Sequence, residues 1–249
     1  LGTTMKRDRE QIPPIEEFKK LAELGFAGIT ISEEYGGQKI DDISEAIVIE
    51  ELSRVDPSLG VFLAVHVGLC AMTIALHGTE EQKKKYLPRI ATGELIGAYS
   101  LSEAGSGTDA AAMTAKADLE NDNFVLNGEK MWVTNGESAD IFVLFAKYVG
   151  DSEYGKKKHG GITAFIVEKE FDGFTVGKKE DKLGIRSSDT CTLLLKNCKV
   201  PKENVLGESG KGFSIAMNAL DNSRIGIAAQ ALGIAQGAYE AALKYSKER

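Results

Sequence analysis

Cysteine, histidine and proline are all scarce in this chain: three, three and five among 249 residues. Cys70, Cys191 and Cys198 show no C-x-x-C spacing and cannot all pair, which excludes a disulfide framework and points to reduced thiols in a reducing compartment. His66, His77 and His159 stand apart from one another and from the cysteines, so no metal-binding constellation is present. Basic residues are outnumbered, 30 Lys and Arg against 37 Asp and Glu, and the net charge of −7 argues against a general nucleic-acid binder. No G-x-G-x-x-G opens a strand–helix turn and no Gly-Lys-Ser/Thr closes a phosphate loop, which disfavours Rossmann and P-loop sites. No signal or transit peptide is visible, although Leu1-Gly2-Thr3-Thr4 is not a natural start. One long uncharged run occurs, residues 59–76, at the lower edge of membrane-span length. Its two glycines, its small residues and His66 favour a buried bundle helix over a span.

What remains is ordinary globular material, 43% hydrophobic and 27% charged, in a chain long enough to bury a real core. Residues 1–97 read as helical. Pro13-Pro14 precedes Ile15, Phe18, Leu21 and Leu24 at helical spacing, with Gly25 as the stop. Asp42-x-x-Glu45 reads as a capping arrangement for a helix that ends at Asp56-Pro57, and Thr79-x-x-Gln82 as a capping box for a helix that Pro88 should kink or end. Lys83-Lys84-Lys85 is a solvated face.

From residue 98 to 206 the hydrophobic period falls to two. Strands are expected over residues 139–149, 162–168, 174–176 and 191–200, in an antiparallel barrel or sandwich. The Lys156-Lys157-Lys158-His159 tip between two of them reads as a surface loop. Past residues 201–207 the chain turns helical again, over residues 211–249. A helix of 39 residues would run roughly 58 Å at 1.5 Å per residue, too long to pack on the strands alone.

The stretch that carries chemistry is residues 98–136. Between Ser102 and Thr108 every side chain except Glu103 is small or hydroxylic, so the backbone can approach a ligand and offer its own N–H groups. Phe124-Val125-Leu126 runs into Asn127-Gly128, a hairpin signal, and Met131-Trp132-Val133-Thr134 runs into a second turn at Asn135-Gly136. Alternation places Trp132 and Thr134 on one face, an indole plane beside a hydroxyl. Asp221 and Arg224, three apart on the last helix, form an ion pair or a binding pair.

Tyr99-Ser100-Leu101-Ser102-Glu103-Ala104-Gly105-Ser106-Gly107-Thr108-Asp109 followed by Asn127-Gly128-Glu129-Lys130-Met131-Trp132-Val133-Thr134-Asn135-Gly136 closely resembles the flavin-binding segment of the acyl-CoA dehydrogenases. The resemblance extends over Glu34-Tyr35-Gly36-Gly37, Leu183-Gly184-Ile185-Arg186, Val200-Pro201 and Leu220-Asp221-Asn222-Ser223-Arg224, and the continuation to Gln236 is most like the short-chain, butyryl-CoA type. It implies a multi-domain fold with an N-terminal helical domain (1–97), a middle β domain (98–206) and the first helix of a C-terminal helical domain (207–249).

It also implies FAD as cofactor, acyl-CoA as substrate and trans-2-enoyl-CoA as product, with electrons passed to an electron-transferring flavoprotein. Tyr99 through Thr108 would line the flavin, Trp132, Val133 and Thr134 would flank its ring, and Thr108 with Asp221, Asn222, Ser223 and Arg224 would hold the CoA portion. Some relatives carry the catalytic glutamate just before the arginine matching Arg224. Here Ser223 stands there, so the base is expected beyond Arg249 and no catalytic residue is assigned. A fragment of this length would then be inactive alone. The same fold also serves acyl-CoA oxidases and enoyl-CoA reductases, and a non-catalytic CoA-binding relative is a further alternative. The family implies a homotetramer, in the bacterial cytoplasm or alternatively the mitochondrial matrix.

Overall fold

The computed structural model describes residues 2–148, 150 and 160–249. The Lys156–His159 tip and the end of the strand expected over 139–149 lie outside them. Six α-helices precede the strands: α1 (Gly2–Glu10), α2 (Ile15–Glu23), α3 (Asp42–Val55), α4 (Pro57–Ala64), α5 (Met72–His77) and α6 (Glu80–Ala91). α2 follows the two prolines and stops just before Gly25, whose φ of +86° suits glycine.

Two expected caps resolve differently. The cap of α3 is Asp41, whose carboxylate accepts from Ser44 N at 2.9 Å, rather than the Asp42-x-x-Glu45 arrangement. Glu45 is thereby left without a capping role. Thr79 and Gln82 do form the reciprocal box, at 3.2 and 3.0 Å. Pro88 does not end α6 at once. It removes only the bond to the carbonyl of Lys84, on the solvent side, and the helix continues three residues to Ala91.

The uncharged run forms one rod, Pro57–His77, in which α4 and α5 are joined by a π-helical segment, Val65–Ala71. By length and composition it could cross a membrane, yet 72% of its apolar window is buried inside the fold. Asp56 caps its start through Leu59 N, with Pro57 in the first turn.

The strands are β1 (Gly97–Ser100), β2 (Lys116–Glu120), β3 (Asn123–Thr134), β4 (Ile141–Lys147), β5 (Ile162–Glu168), β6 (Phe174–Lys179), β7 (Thr190–Pro201) and β8 (Val205–Leu206). Among the described residues they form one eight-stranded sheet in the order β6-β7-β3-β2-β4-β5-β8, with β1 paired to β4. Most pairings are antiparallel, but β1 runs parallel to β4. Asp140 sets this. Its carboxylate accepts from Ile96 N at 2.8 Å and its N–H donates to Ile96 O, so both strands start side by side.

The Asn127-Gly128 hairpin does not occur: β3 runs straight through it, and the chain reverses at Asn121-Asp122 instead, with Asn121 at φ +55°. Gly128 serves another purpose. A Cβ there would lie 2.7 Å from Ala115 Cα, so glycine admits the neighbouring backbone.

Helices and sheet share their cores. Phe18, Phe62 and Leu63 pack with Phe124, Phe142 and Phe165, while Ile74, Tyr86 and Ile90 pack with Val143, Phe145 and Ile166. His66, fully buried, bridges the layers by accepting from Gly97 N through Nδ1 (3.1 Å) and donating to Ile90 O through Nε2 (3.2 Å). Burial lowers its pKa to about 4, so it is neutral. The last helix, α7 (Gly212–Glu248), lies along α3, and Gly233 permits the contact, since a Cβ there would sit 2.1 Å from Glu50 O. Ile225, Ile227, Leu232, Tyr239, Leu243 and Tyr245 stay exposed along it, in keeping with a helix too long for this sheet alone.

Candidate functional site

The bend after β1 and the end of β3 are tied directly: Met131 N donates to Ser102 O at 2.9 Å, and Lys130 Nζ donates to Leu101 O at 3.1 Å. The bend closes on itself through two backbone bonds between Glu103 and Ser106, and Ser106 Oγ donates to Asp109 O. These bonds use the N–H groups of Glu103 and Ser106. The N–H groups of Ala104, Gly105, Gly107 and Thr108 take no acceptor among the described residues, and all four residues are exposed. A Cβ at Gly105 or Gly107 would meet nothing within 4 Å. The result is an open cradle of donors suited to an anionic or heteroaromatic ligand.

Beneath the cradle lies an ion pair. Lys130 Nζ is 2.8 Å from Glu103 Oε1, with the side chains 0% and 5% exposed. Glu103 also accepts from Ala115 N and from the N and Oγ1 of Thr114. Burial opposes the charge on each partner. The Lys130 ammonium and the Thr114 donors outweigh it for Glu103, whose pKa is held below the ordinary carboxylate value, while burial leaves Lys130 below its own.

Trp132 sits at a bulge where β3 carries one more residue than β7, between the Lys130–Leu193 and Val133–Cys191 pairs. Its φ is +55°, a left-handed conformation unusual for a large side chain. The bulge leaves Trp132 59% exposed, with Thr134 half-buried and Val133 buried in the core. Asn135, at φ +62°, then turns the chain and binds Phe62 O and Gly97 O through Nδ2. Asp189 Oδ2 accepts from Glu137 N and Ser138 N, fixing that turn to β7.

Of the residues singled out from sequence, Ala104, Gly105, Gly107, Thr108 and Trp132 are exposed and Thr134 is half-buried. Tyr99 is packed against Phe145 with its hydroxyl donating to Ala216 O at 3.4 Å, and Ser100, Glu103 and Ser106 are buried in the scaffold. Leu101 and Ser102 lie half-buried between the two groups.

Tyr99 brings α7 to the bend. Asp221 and Arg224 follow Ala216 by five and eight residues, about 7 and 12 Å along the helix. They face each other at 3.6 Å, each 75% exposed. Ser223 Oγ is engaged with Leu220 O, and Asn222 points to a cavity between α7, α3 and the π-helical segment. That cavity, the Glu103–Lys130 pair and the Asn135 bridge are features that sequence reading missed. Their partners are distant in the chain, and only the lone lysine in an otherwise apolar strand face hinted at any of them.

Three consecutive domain models of one family match the chain: the acyl-CoA dehydrogenase N-terminal domain at residues 3–94, the middle domain at 98–198 and the C-terminal domain at 210–249. The short-chain specific acyl-CoA dehydrogenase of Clostridium acetobutylicum is 53% identical over 236 residues, covering 95% of this chain and 61% of that protein. Among solved structures, butyryl-CoA dehydrogenase of Megasphaera elsdenii superposes with a TM-score of 0.92 at 45% identity, covering 98% of this chain and 63% of its own. A structure from work on the electron transferring flavoprotein of Acidaminococcus fermentans gives 0.94 at 49%, covering 100% and 64%. The chain thus spans about three fifths of the length of the relatives it matches. With every segment of the fold and both motif strands accounted for, the chain belongs to the acyl-CoA dehydrogenase family.

Proposed function

We propose that the protein carrying this chain is a short-chain acyl-CoA dehydrogenase that converts an acyl-CoA thioester to the trans-2-enoyl-CoA and passes electrons to an electron-transferring flavoprotein. The observation that carries this reading is the tie between Ser102 and Met131, which sets an open donor cradle beside an exposed indole held by a bulge. The relatives at 45–53% identity that are named for short-chain or butyryl-CoA substrates support the substrate class.

The residues fit FAD. The unpartnered N–H groups of Ala104, Gly105, Gly107 and Thr108 would receive its pyrophosphate and ring edge, and Trp132 and Thr134 would flank the ring. When bound, the flavin supplies the hydride acceptor. Thr134 would donate a hydrogen bond where negative charge grows on the reduced ring, and Trp132 would exclude water from that face. Arg224 and Asp221 would hold the CoA portion, orienting the thioester toward the same side of α7. The α-proton requires a carboxylate, and Ser223 offers none next to Arg224, so the base is assigned to residues outside 1–249.

The three buried free cysteines support a reducing compartment, which we take to be the bacterial cytoplasm before the mitochondrial matrix. We further assign the divisions at 98 and 207 to three domains, the exposed apolar face of α7 to packing against the rest of the C-terminal helical domain, and a tetrameric assembly to the complete enzyme.

The test is flavin bleaching. The complete protein, loaded with FAD, should lose its absorption near the visible maximum on addition of butyryl-CoA, and residues 1–249 alone should not. A complete protein that stays yellow with every acyl-CoA overturns the reading.

A further inference from the structure

Between α3, the π-helical segment with α5, and α7 lies a cavity of about 210 Å³. Its walls are Ala46, Met72, Leu76 and Ile225, with glycines at 68 and 226. The cap of α3 at Asp41 frees Glu45 to enter it. Gly68 makes the room: a Cβ there would lie 3.3 Å from Glu45 Oε1. Among the described residues the Glu45 carboxyl has neither a hydrogen-bond donor nor a cation, and no lysine or arginine lines the cavity. Asn222, on the same turn of α7 as Asp221 and Arg224, lines it too, so the cavity continues from the proposed thioester grip.

We propose that Glu45 is a specificity-determining residue: this cavity receives the far end of the acyl chain, and Glu45 selects chains that end in an ammonium group over chains that end in methyl. The inference rests on the acyl-CoA reading above and deepens it. The apolar walls Ala46, Met72, Leu76 and Ile225 would accept a saturated chain, but they leave one half-buried carboxyl without a partner among the described residues. Burial first, and the neighbouring Asp42 carboxylate second, push the Glu45 carboxyl up to about 7. A terminal cation answers both effects at once, because it restores a donor to Glu45 and offsets the repulsion from Asp42 at the rim. A terminal methyl answers neither. A neutral hydroxyl would give Glu45 a donor but leave the like charges facing each other.

The experiment compares 6-aminohexanoyl-CoA with its isostere heptanoyl-CoA in the complete, FAD-loaded protein, reading kcat/KM from flavin reduction at pH 7.5. The wild type should prefer the amino substrate by about tenfold or more, the size expected for one charge-assisted hydrogen bond. Glu45→Gln should bring the ratio near one, and Glu45→Leu should reverse it in favour of heptanoyl-CoA. A wild-type ratio of one or below, or a preference that survives Glu45→Leu, overturns the assignment of Glu45. Failure of the family reading looks different, since then no acyl-CoA of any kind, butyryl-CoA included, would reduce the flavin. Flavin content and circular dichroism of each variant show whether a changed ratio comes from a folded enzyme.

Discussion

Lys130 Nζ lies 2.8 Å from Glu103 Oε1 with both side chains sealed from water, and this pair joins the strand that carries Trp132 to the bend that carries the donor cradle. The charge on each side chain is tolerable only because the other is present, and Glu103 additionally gathers Thr114 and Ala115. The pair acts on the site by position, since neither group reaches the open face.

Lys130→Met should therefore cost about 3–5 kcal/mol, because it strands a buried carboxylate among partial partners. Urea denaturation of the wild type and the variant measures it. The double variant Lys130→Met with Glu103→Gln should recover part of the loss. A single-variant cost under about 1 kcal/mol would show that the pair is not a structural tie.

Trp132 should separate stability from ligand binding. Its left-handed φ is a strain that glycine does not carry, and its indole is more than half exposed. Trp132→Gly should leave the thermal midpoint of the apoprotein unchanged or slightly higher while weakening FAD about tenfold or more. Trp132→Phe should keep most of the affinity. Equilibrium dialysis with FAD and calorimetry on the same samples supply the two readings.

Arg224→Ala should raise KM for butyryl-CoA by roughly 10- to 100-fold with little change in thermal midpoint, because the Asp221–Arg224 pair is exposed and such pairs add little to stability in water. An unchanged KM would return the pair to a surface role.

His66 gives the fold an acid limit. Its pKa is 6.5 in the unfolded chain and about 4 in the fold, so the unfolded state binds the proton first as pH falls. Its contribution is present above pH 6.5 and is lost between pH 6.5 and 4, up to about 3 kcal/mol. Unfolding free energies across that window should fall for the wild type more steeply than for His66→Asn. Parallel curves would show that the imidazole does not set the slope.

Glu45 acts with the opposite sign. Its folded pKa of about 7 exceeds the ordinary 4.5, so the carboxyl is easily held as an acid and becomes costly as pH rises through 7. Glu45→Gln should stabilise the protein by roughly 1–3 kcal/mol at pH 8 and by nearly nothing at pH 4. Thermal midpoints at the two pH values decide it.

The sequence by itself determined whatever depends on near neighbours in the chain. The Thr79–Gln82 box, the stop at Gly25, the strand at Ile162–Glu168 and the long last helix were all legible, because caps, turns and periodicity are set within three or four residues. The two long motifs likewise sufficed for the family.

Tertiary structure decided what depends on distant partners. Asn127-Gly128 has the letters of a hairpin, but pairing with β7 and the close approach of Ala115 hold it extended, and the turn moves to Asn121-Asp122. The parallel pairing of β1 with β4 follows from Asp140 meeting Ile96, 44 residues away. Which side chains around Trp132 face outward, and that Glu45 enters a cavity at all, follow from the bulge at Trp132 and from the packing of α3 against α7. Those contacts join residues that no local pattern connects, because burial and pairing energies act between surfaces and not along the chain.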